Sequence, residues 1–514
     1  MRKYHQSQIL ELLKTIRQAQ SNEMYAECQE GALSICDFIE DIVGEGTHTS
    51  NLLIEYCELL FKVHSGEANK KTLHKHLIKI ENNVKSELKP TRTEMVFLSY
   101  KASMSDSLES IYFAAKADPD CDAFWIPIPY FERNPDGSPG KMHYEGPEFY
   151  GSDFDIVDWQ EYDIGARRPD AIFTFNPFDG MNYVTSVHPD FYCERLRNLT
   201  DALIYVPYSV TRDFEPDKVP PIEEIVRNIS ETTKSSYLTA GSVFARKVIV
   251  QSERARQVYI RIFEERFGNT RGIAKDKYIA LGNPKFDKAI NSKREDFDMP
   301  KDWRDLIEGK KVILYNSSIG ATLRDNESYL NKLLNILETF SKRDDVVLWW
   351  RPHPLLESTY KSMRPQFADI FNRLILGYKN EKWGIYDDTP HLHRALVWSD
   401  AYYGDLSSVL TMYLASGKPA IVSDSKILKA NEGPEENTSC NSLFEPSEME
   451  TEYGCYYMED ENIQLCHLID YVAMDDDISN EHIRRNQRQE VFKKIYTKAT
   501  GASGQAIFDY VKQL

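Results

Sequence analysis

The stretch Ser399-Asp400-Ala401-Tyr402-Tyr403-Gly404-Asp405-Leu406-Ser407-Ser408-Val409 predicts a short strand, a tight turn and a helix that begins at two serines. The helix is expected to end at Gly417-Lys418-Pro419, because glycine just past a helix and proline soon after it are stop signals. The strand Ala420-Ile421-Val422 follows at once and completes a βαβ unit. A helix N-terminus attracts phosphate through its free N–H groups and dipole. Simple capping by Asp405 or Ser407 explains the same residues equally well.

Other apolar runs of the chain have the same character as the strand in this unit. Near-continuous apolar strands separated by helical segments indicate buried parallel sheets. They fall in two groups: Met95–Leu98, Phe124–Ile126, Ala171–Phe175, Leu203–Val206 and Val248–Val250, then Val312–Tyr315, Val346–Trp350, Ala401–Tyr403 and Ala420–Val422. The pattern predicts two doubly wound α/β units with a ligand cleft beyond the carboxyl ends of their strands.

The domain organisation follows from these patterns. Residues 1–90 carry apolar side chains at helical spacing and predict an all-helical module of three or four antiparallel helices. Residues 91–288 form the first Rossmann-like domain, and residues 289–514 the second, closed by a helix near 506–511. The charged segment 289–308 is interpreted as a linker.

Composition excludes several function classes. The 514 residues carry a net charge of −18, which argues against nucleic acid as a partner and against broad docking on an anionic membrane. The eight cysteines lack a CxxC spacing and are expected to be reduced, and no histidine spacing suggests a metal site, so no cofactor is expected. Without an apolar run of roughly 20 residues or a signal sequence, the protein is expected in the cytoplasm.

Three polar segments of the second α/β unit follow strands. Asn316, Ser317 and Ser318 come after the strand 312–315, where small polar residues let a ligand approach the backbone. An ordinary βα turn is the alternative for them. Another of the segments contains Asp405, Ser407 and Ser408. One phosphate site at the carboxyl edge of the sheet would account for all three segments.

The remaining segment, Arg351-Pro352-His353-Pro354, follows the strand 346–350. Its prolines hold the backbone extended and fix the directions of Arg351 and His353. Arginine suits phosphate, and histidine can donate a hydrogen bond or a proton to a phosphate oxygen. The absence of GxGxxG, P-loop and GxSxG motifs at these strand ends counts against dehydrogenases, NTPases and α/β-hydrolases.

The chain resembles the bacterial CDP-glycerol glycerophosphotransferases of the teichoic-acid polymerase and primase type. The similar pieces, within about 245–512, are Val250–Glu253, Leu281–Asp287, Arg351–Pro354, Ser399-Asp400, Asp405–Val409 and Gly501–Ser503 with its helix. The resemblance implies a GT-B fold and transfer of glycerol phosphate from CDP-glycerol to an acceptor hydroxyl in cell-envelope or capsule polymer synthesis, with release of CMP. It also implies that Arg351, His353, Ser407 and Ser408 hold the diphosphate and that Asn316 to Ser318 lie against the donor.

The sequence departs from this family on the acceptor side. The family's first domain carries a His-Gly motif whose histidine is the expected general base, and the matching place here, Leu203–Ser209, has no histidine. Asp179 and His188, which follow the strand 171–175, are candidate replacements, although turn formation or capping explains each of them as well. The segment Lys141–Gly146 is either an acceptor loop or a surface hairpin.

Two other functions stay open at this point. One is a nucleotide-sugar glycosyltransferase or a relative of the UDP-sugar 2-epimerases, and the other is a degenerate transferase that acts as a binding scaffold. The expected partners are a CDP-alcohol donor and a polymer or lipid-linked acceptor. A lipid-linked acceptor would bring the protein to the inner face of the plasma membrane, and the helical module offers a route to oligomers.

Overall fold

A computed structural model describes residues 1–210, 220–268, 271–423, 457–458, 465–474 and 480–514. The chain begins with four helices: α1 (Lys3–Ser21), α2 (Tyr25–Val43), α3 (His48–His64) and α4 (Lys70–Glu87). Apolar residues at helical spacing, among them Ile9, Ile35 and Leu77, are fully buried between them. The expected helical module is confirmed.

The module is tied to the first α/β lobe through its first residues. The Arg2 guanidinium lies 3.1 Å from the carboxylate of Glu94 and 3.2 Å from that of Asp170. Both acids belong to the sheet side of the first lobe, and Arg2 and Glu94 are buried. A buried charge needs partners of this kind, so these ion pairs fix the junction.

The described part of the first lobe contains nine strands: β1 (Thr93–Ser99), β2 (Cys121–Pro127), β3 (Tyr130–Arg133), β4 (Pro139–His143), β5 (Ala171–Thr174), β6 (Thr185–Val187), β7 (Ala202–Tyr205), β8 (Lys247–Val250) and β9 (Tyr278–Ala280). Six of them form a sheet in the order β2-β1-β5-β7-β8-β9, and every pair in it is parallel. The other three form an antiparallel sheet in the order β4-β3-β6, which sequence patterning did not predict. The segment Lys141–Gly146 begins within β4 and is therefore part of a hairpin.

The helices of the first lobe are α5 (Glu109–Ala117), α6 (Ile164–Arg167), α7 (Cys193–Leu196), α8 (Ile222–Asn228), α9 (Glu231–Tyr237), α10 (Ala240–Phe244), α11 (Glu253–Phe267), α12 (Ile273–Lys277) and α13 (Pro284–Asn291). The core between these helices and the large sheet is rich in aromatic side chains. The ring of Phe97 stacks on that of Phe173 at 4.7 Å between centroids. The sheet is therefore buried, as the apolar runs predicted.

In the described residues of the second lobe there are six strands: β10 (Lys311–Ser317), β11 (Val346–Pro352), β12 (Ile385–Tyr386), β13 (Ala401–Gly404), β14 (Ala420–Val422) and β15 (Tyr457–Met458). They form one parallel sheet in the order β12-β11-β10-β13-β14-β15. The described helices of this lobe and of the chain's end are α14 (Lys301–Ile307), α15 (Ile319–Arg324), α16 (Asn326–Ser341), α17 (Leu356–Met363), α18 (Pro365–Glu381), α19 (Leu392–Trp398), α20 (Ser408–Leu414), α21 (Leu465–Ala473), α22 (Glu481–Ile495) and α23 (Ser503–Val511).

The interpretation of residues 289–308 as a linker is wrong. This segment includes the end of α13 and the whole of α14, and Met299 and Ile307 are buried. The indole of Trp303 packs edge-on against that of Trp349 in β11, with 5.4 Å between centroids. The high charge of the segment reflects only its outer face, because its few apolar residues pack on the second sheet.

The closing helix α23 returns to the first lobe. The Asp287 carboxylate accepts hydrogen bonds from the N–H groups of Ser503 (2.8 Å) and Gly504 (2.7 Å), and from the Ser110 hydroxyl (2.8 Å). A side chain at Gly504 would meet the Ser110 backbone at 2.4 Å, so only glycine permits this approach of α23 to α5.

Two doubly wound lobes preceded by a helical module constitute the GT-B-like architecture expected from the sequence, and that expectation is confirmed. Among the described residues, no helix combines the length and apolar character that a membrane crossing requires.

Candidate functional site between the lobes

The polar residues of the second lobe meet at the carboxyl edge of its sheet. Asn316 at the end of β10 is in register with Arg351 of β11 on one side and with Gly404 of β13 on the other. A Cβ atom at Gly404 would lie 2.2 Å from the Asn316 carbonyl oxygen, so glycine is required for this close approach. The structure thus brings together the three segments that the sequence placed at one edge.

Asn316 links two of these segments directly. Its amide donates to the Arg351 carbonyl at 2.8 Å, and its side-chain oxygen accepts from the Ser407 hydroxyl at 3.2 Å. The Ser407 hydroxyl also accepts from the Leu410 N–H at 3.3 Å, which makes Ser407 the N-cap of α20. Capping therefore occurs at Ser407 and not at Asp405.

Asp405 is a buried anchor of this edge. Its carboxylate accepts from the Ser318 N–H at 2.7 Å and lies 3.2 Å from the ammonium group of Lys332. The Ser318 hydroxyl caps α15 by accepting from Ala321 N–H at 3.1 Å, and the neighbouring Ser317 is buried. These contacts position the backbone around the corner, and Lys332 balances the charge of the acid.

Arg351 is buried and held by an acid of its own lobe. Its guanidinium lies 2.8 Å from the carboxylate of Asp387 and donates to the Thr389 carbonyl at 2.7 Å. Arg394 approaches the other Asp387 oxygen at 3.4 Å. Burial alone would raise the pKa of Asp387, but Arg351, the Thr389 hydroxyl and Arg394 outweigh it and hold the pKa below its ordinary value. Two arginines share one carboxylate, which leaves the cluster with a net positive charge.

His353 is held as a neutral hydrogen-bond donor. Its Nδ1 atom accepts from the Leu355 N–H at 3.1 Å, so the ring proton is assigned to Nε2. Burial, helped by the ammonium groups of Lys285 and Lys101, lowers the pKa of His353 to about 4. Lys285 and Lys101 belong to the first lobe, so this second-lobe histidine lies within electrostatic reach of first-lobe charges.

Ser408 joins the two lobes. Its hydroxyl accepts from the Val210 N–H at 3.1 Å and donates to the Val210 carbonyl at 3.4 Å. Val210 lies shortly after β7 and directly follows the segment Leu203–Ser209, which contains no histidine. The first turn of α20 is therefore packed against the end of this first-lobe segment.

A buried charge cluster connects the lobes beside His353. The Asp106 carboxylate lies 2.6 Å from the Lys285 ammonium and 3.1 Å from Nε2 of His393. His393 is the second residue of the second-lobe helix α19. Burial would raise the pKa of Asp106, but the Lys285 charge and the His393 contact outweigh it and hold the pKa well below its ordinary value. The Lys285 ammonium also lies 4.3 Å from the centre of the Tyr208 ring.

A second polar cluster marks the first-lobe side. The Lys101 ammonium donates to the Tyr130 hydroxyl at 3.2 Å and lies 3.5 Å from the Glu145 carboxylate. Glu145 also accepts from the Ala102 N–H at 2.7 Å. Since Lys101 contributes to the low pKa of His353, this cluster lies within electrostatic reach of the corner.

Among the residues that the structure describes, the hydrogen-bond partners of the two candidate bases belong to the first lobe. The Asp179 carboxylate accepts from the Cys193 N–H at 2.8 Å, at the start of α7, and burial raises the pKa of Asp179 to about 6. His188 accepts through Nδ1 from the Asp190 N–H at 3.3 Å, and its ring lies against Phe131 and Trp159. The contacts correspond to the capping and turn alternatives, and a catalytic role for either residue stays a prediction.

Sequence reasoning missed several residues of this site. Asp106 and His393 are 287 positions apart, and neither lies in a recognisable motif. Asp387 and Arg394 are equally inconspicuous in the sequence. Lys285 was the exception, because it lies in the stretch Leu281–Asp287 that contributed to the family resemblance. Its role as a bridge could not be read without the fold.

The comparison with protein-family models gives one match, and the matched range contains residues of this corner. Residues 226–427 match the model of the family described as CDP-Glycerol:Poly(glycerophosphate) glycerophosphotransferase. The match spans Asn316, Arg351, His353, Ser407 and Ser408. The family resemblance expected from the sequence is confirmed for this segment, which matches the model of that family. No curated protein sequence matches the chain.

Solved structures with a similar arrangement include one titled "Structure of the Wall Teichoic Acid Polymerase TagF", at 15% identity, a TM-score of 0.44, and coverage of 90% of this chain and 97% of the other. A putative UDP-N-acetylglucosamine 2-epimerase from Listeria monocytogenes gives 12% identity, a TM-score of 0.45, and coverage of 82% and 96%. The S. aureus MnaA-UDP co-structure gives 10% identity, a TM-score of 0.43, and coverage of 82% of this chain and 96% of the other. These global similarities are low, and the site rests on the contacts described above.

Proposed function

We propose that this protein transfers glycerol phosphate from CDP-glycerol to a hydroxyl group of a growing anionic polymer of the cell envelope and releases CMP. The observation that carries the proposal is the His353 imidazole at the carboxyl edge of the second sheet: its Nδ1 accepts from the Leu355 N–H, and burial with the charges of Lys285 and Lys101 lowers its pKa to about 4, so the neutral ring keeps its proton on Nε2. The matched family supplies the donor and the acceptor class.

The corner suits a diphosphate because it offers donors and positive charge together. The Nε2–H of His353 donates to a phosphate oxygen, and Lys285 and Lys101 belong to the first lobe, each paired with an acid. Arg351 and Arg394 share the single carboxylate of Asp387, which leaves one net positive charge there. The diphosphate would offset this excess charge.

The reaction itself is a displacement at phosphorus. The acceptor oxygen forms a bond to the phosphorus that carries glycerol, and the bond from that phosphorus to the bridging oxygen breaks. The bridging oxygen leaves with CMP, and the acceptor proton passes to a base or to water. Hydrogen bonding from His353 to the bridging oxygen stabilises the charge that develops on the leaving phosphate.

The setting of the reaction follows from the acceptor. A lipid-linked polymer would place the protein at the inner face of the plasma membrane, and we include this peripheral location in the proposal. We also propose that residues 1–90, 91–288 and 289–514 act as module, acceptor domain and donor domain, and that the module serves oligomer or partner contacts.

The experiment is a thermal-unfolding screen followed by a turnover assay. CDP-glycerol should stabilise the protein, by about 2.7 kcal/mol at 100 times its Kd, and UDP-N-acetylglucosamine should have a much smaller effect. CMP should then accumulate when a poly(glycerophosphate) acceptor is added. Stabilisation by the UDP-sugar alone would favour an epimerase or glycosyltransferase relative, and CDP-glycerol binding without any CMP release would indicate a scaffold.

A further inference from the structure

A basic cavity lies at the edge of the second sheet where its strands begin, opposite the carboxyl edge where His353 lies. It has a volume of about 780 Å³, within the range of roughly 300–1,000 Å³ typical of ligand sites. It is bounded by the ends of α13, α19 and α20 and by one face of α22. Its charged lining consists of five cations and one acid: Lys293, Arg294, Lys418, Arg485, Lys493 and Asp400.

This concentration of positive charge contrasts with the chain as a whole, whose net charge is −18. Asp400 lies 3.8 Å from Arg294 and is the single acid of the lining. Lys493 has an outside partner in Glu490 at 2.8 Å, which leaves the other cations facing one carboxylate. An anion in the cavity would offset this excess charge.

Part of the charge has a structural explanation. The Lys418 ammonium donates to the carbonyl groups of Leu396 (3.0 Å), Val397 (3.1 Å) and Ser399 (2.5 Å), so all three of its protons complete the end of α19. Cations at helix C-termini are favourable in their own right. Lys418 is therefore the floor of the cavity and not a free ligand-binding group.

The two arginines retain unused donors. Arg485 donates from Nε to the Ser416 carbonyl at 2.9 Å, and Arg294 donates from Nε to the Val397 carbonyl at 3.3 Å. In the described part of the chain, the terminal nitrogens of Arg485 have no hydrogen-bond partner. Each guanidinium is thus fixed by one carbonyl. The terminal N–H groups of Arg485 stay available, one terminal nitrogen of Arg294 lies 3.8 Å from Asp400, and guanidinium groups held in this way suit phosphate oxygens.

The aromatic residues of the cavity argue against a nucleotide or nucleic acid. Tyr413, Phe492 and Tyr496 line it, but their exposed fractions are 0%, 2% and 4%. Recognition of bases without sequence preference relies on exposed ring faces on which the bases stack. A charged ligand that carries no bases, such as a phosphodiester chain, fits this lining better than a nucleotide does.

We infer that this basic cavity binds phosphodiester groups of the anionic polymer, away from its reacting end. The identity of the polymer rests on the proposed function. The cavity lies at the edge of the sheet where β13 and β14 begin. Arg351 and Gly404 lie at the other edge, where β11 and β13 end. A seven-residue strand such as β10 spans about 23 Å, so several repeat units of the polymer would separate the two sites.

The test measures binding of a fluorescein-labelled synthetic penta(glycerol phosphate) by anisotropy at low and physiological salt. The double variant Arg294→Gln/Arg485→Gln should bind at least tenfold more weakly than the wild type, and the affinity of the wild type should fall as salt rises. Arg373→Gln, an exposed arginine of α18, is the matched control and should bind within twofold of the wild type. Hexaglutamate should bind at least tenfold more weakly than the phosphodiester probe.

Equal binding by the double variant, no binding by the wild type, or equal binding of hexaglutamate would each overturn the inference. Arg294 and Arg485 are solvent-exposed, and the single variant Arg485→Gln provides the same comparison if the double variant is less stable. CMP release from CDP-glycerol with a one-unit acceptor, measured in parallel, tests the proposed function separately. Probe binding without CMP release would refute the proposed function alone, and CMP release without probe binding would refute this inference alone.

Discussion

The carboxyl edges of the two sheets use similar residues in different ways. In the second lobe, Asn316, Ser407 and the backbone of Arg351 are bonded to one another, and first-lobe lysines lower the pKa of His353. In the first lobe, Asp179 and His188 bond to backbone N–H groups of their own lobe. Polar residues after a strand cap helices and turns in both lobes, and in the second lobe three strands in register also bring them into contact with one another.

The largest difference between the two edges should appear in turnover. His353→Gln removes the Nε2–H donor to the leaving phosphate, and a proton-donating or hydrogen-bonding group of this kind contributes about 10²–10⁴-fold. The matched variant His188→Gln should change the rate less than threefold. The measurement is CMP release from CDP-glycerol with saturating acceptor, and similar rates for the two variants would remove the distinction between the edges.

The junction between the edges should dominate stability. Asp106→Asn removes the charge that neutralises Lys285, and breaking a buried pair on one side costs about 3–5 kcal/mol. Asp190→Asn, in an exposed pair with Arg195, should cost less than about 0.5 kcal/mol. Urea unfolding of both variants provides the comparison, and equal midpoints would show that the interlobe cluster contributes little.

Asp179 offers a test with a definite pH dependence. Its folded pKa of about 6 exceeds the ordinary value of 3.8, so the folded protein binds more protons between these values and loses stability as pH rises through them. Asp179→Asn keeps a hydrogen-bond acceptor for Cys193 and should raise the free energy of unfolding at pH 7.5 by about 1–3 kcal/mol.

The gain from Asp179→Asn should disappear near pH 4, and CMP release at pH 7.5 should be unchanged. Urea unfolding at both pH values and the turnover assay provide the readouts. A large loss of turnover without loss of stability would instead make Asp179 the acceptor-side base.

The smallest effect is expected at the contact between α20 and the first lobe. Ser408→Ala removes the hydrogen bonds to Val210 and should lower the free energy of unfolding by about 1 kcal/mol. Its affinity for CDP-glycerol should fall only a few-fold, because the hydroxyl is already occupied by the first lobe. Isothermal titration is the measurement, and complete loss of donor binding would show that Ser408 holds the diphosphate directly.

Local patterns predicted most strands of the two parallel sheets and the edge at which Asn316, Arg351 and Ser407 meet, because parallel strands end at a common edge. They did not predict the direction of each side chain. Arg351 contacts Asp387, which lies in an unremarkable turn, and Asp405 contacts Lys332 from α16. Such pairs depend on long-range packing, which periodicity and motif spacing do not contain.

The same limit explains the error at residues 289–308. A high density of charge is typical of linkers, yet Trp303 packs on Trp349 of a strand more than forty positions later. It also explains why the Asp106–Lys285–His393 cluster was not foreseen: its members come from three segments, and only the fold makes them neighbours.

The most direct test of the central claim is the titration of His353 by NMR in protein labelled at histidine carbons, with His353→Gln to assign the signal. In the free protein the ring should titrate near pH 4, as its burial beside Lys285 and Lys101 requires. Saturation with CDP-glycerol should shift its resonance and raise its pKa, because the diphosphate offsets the lysine charges. An unchanged resonance and pKa at saturating CDP-glycerol would contradict the assignment of this corner as the donor site.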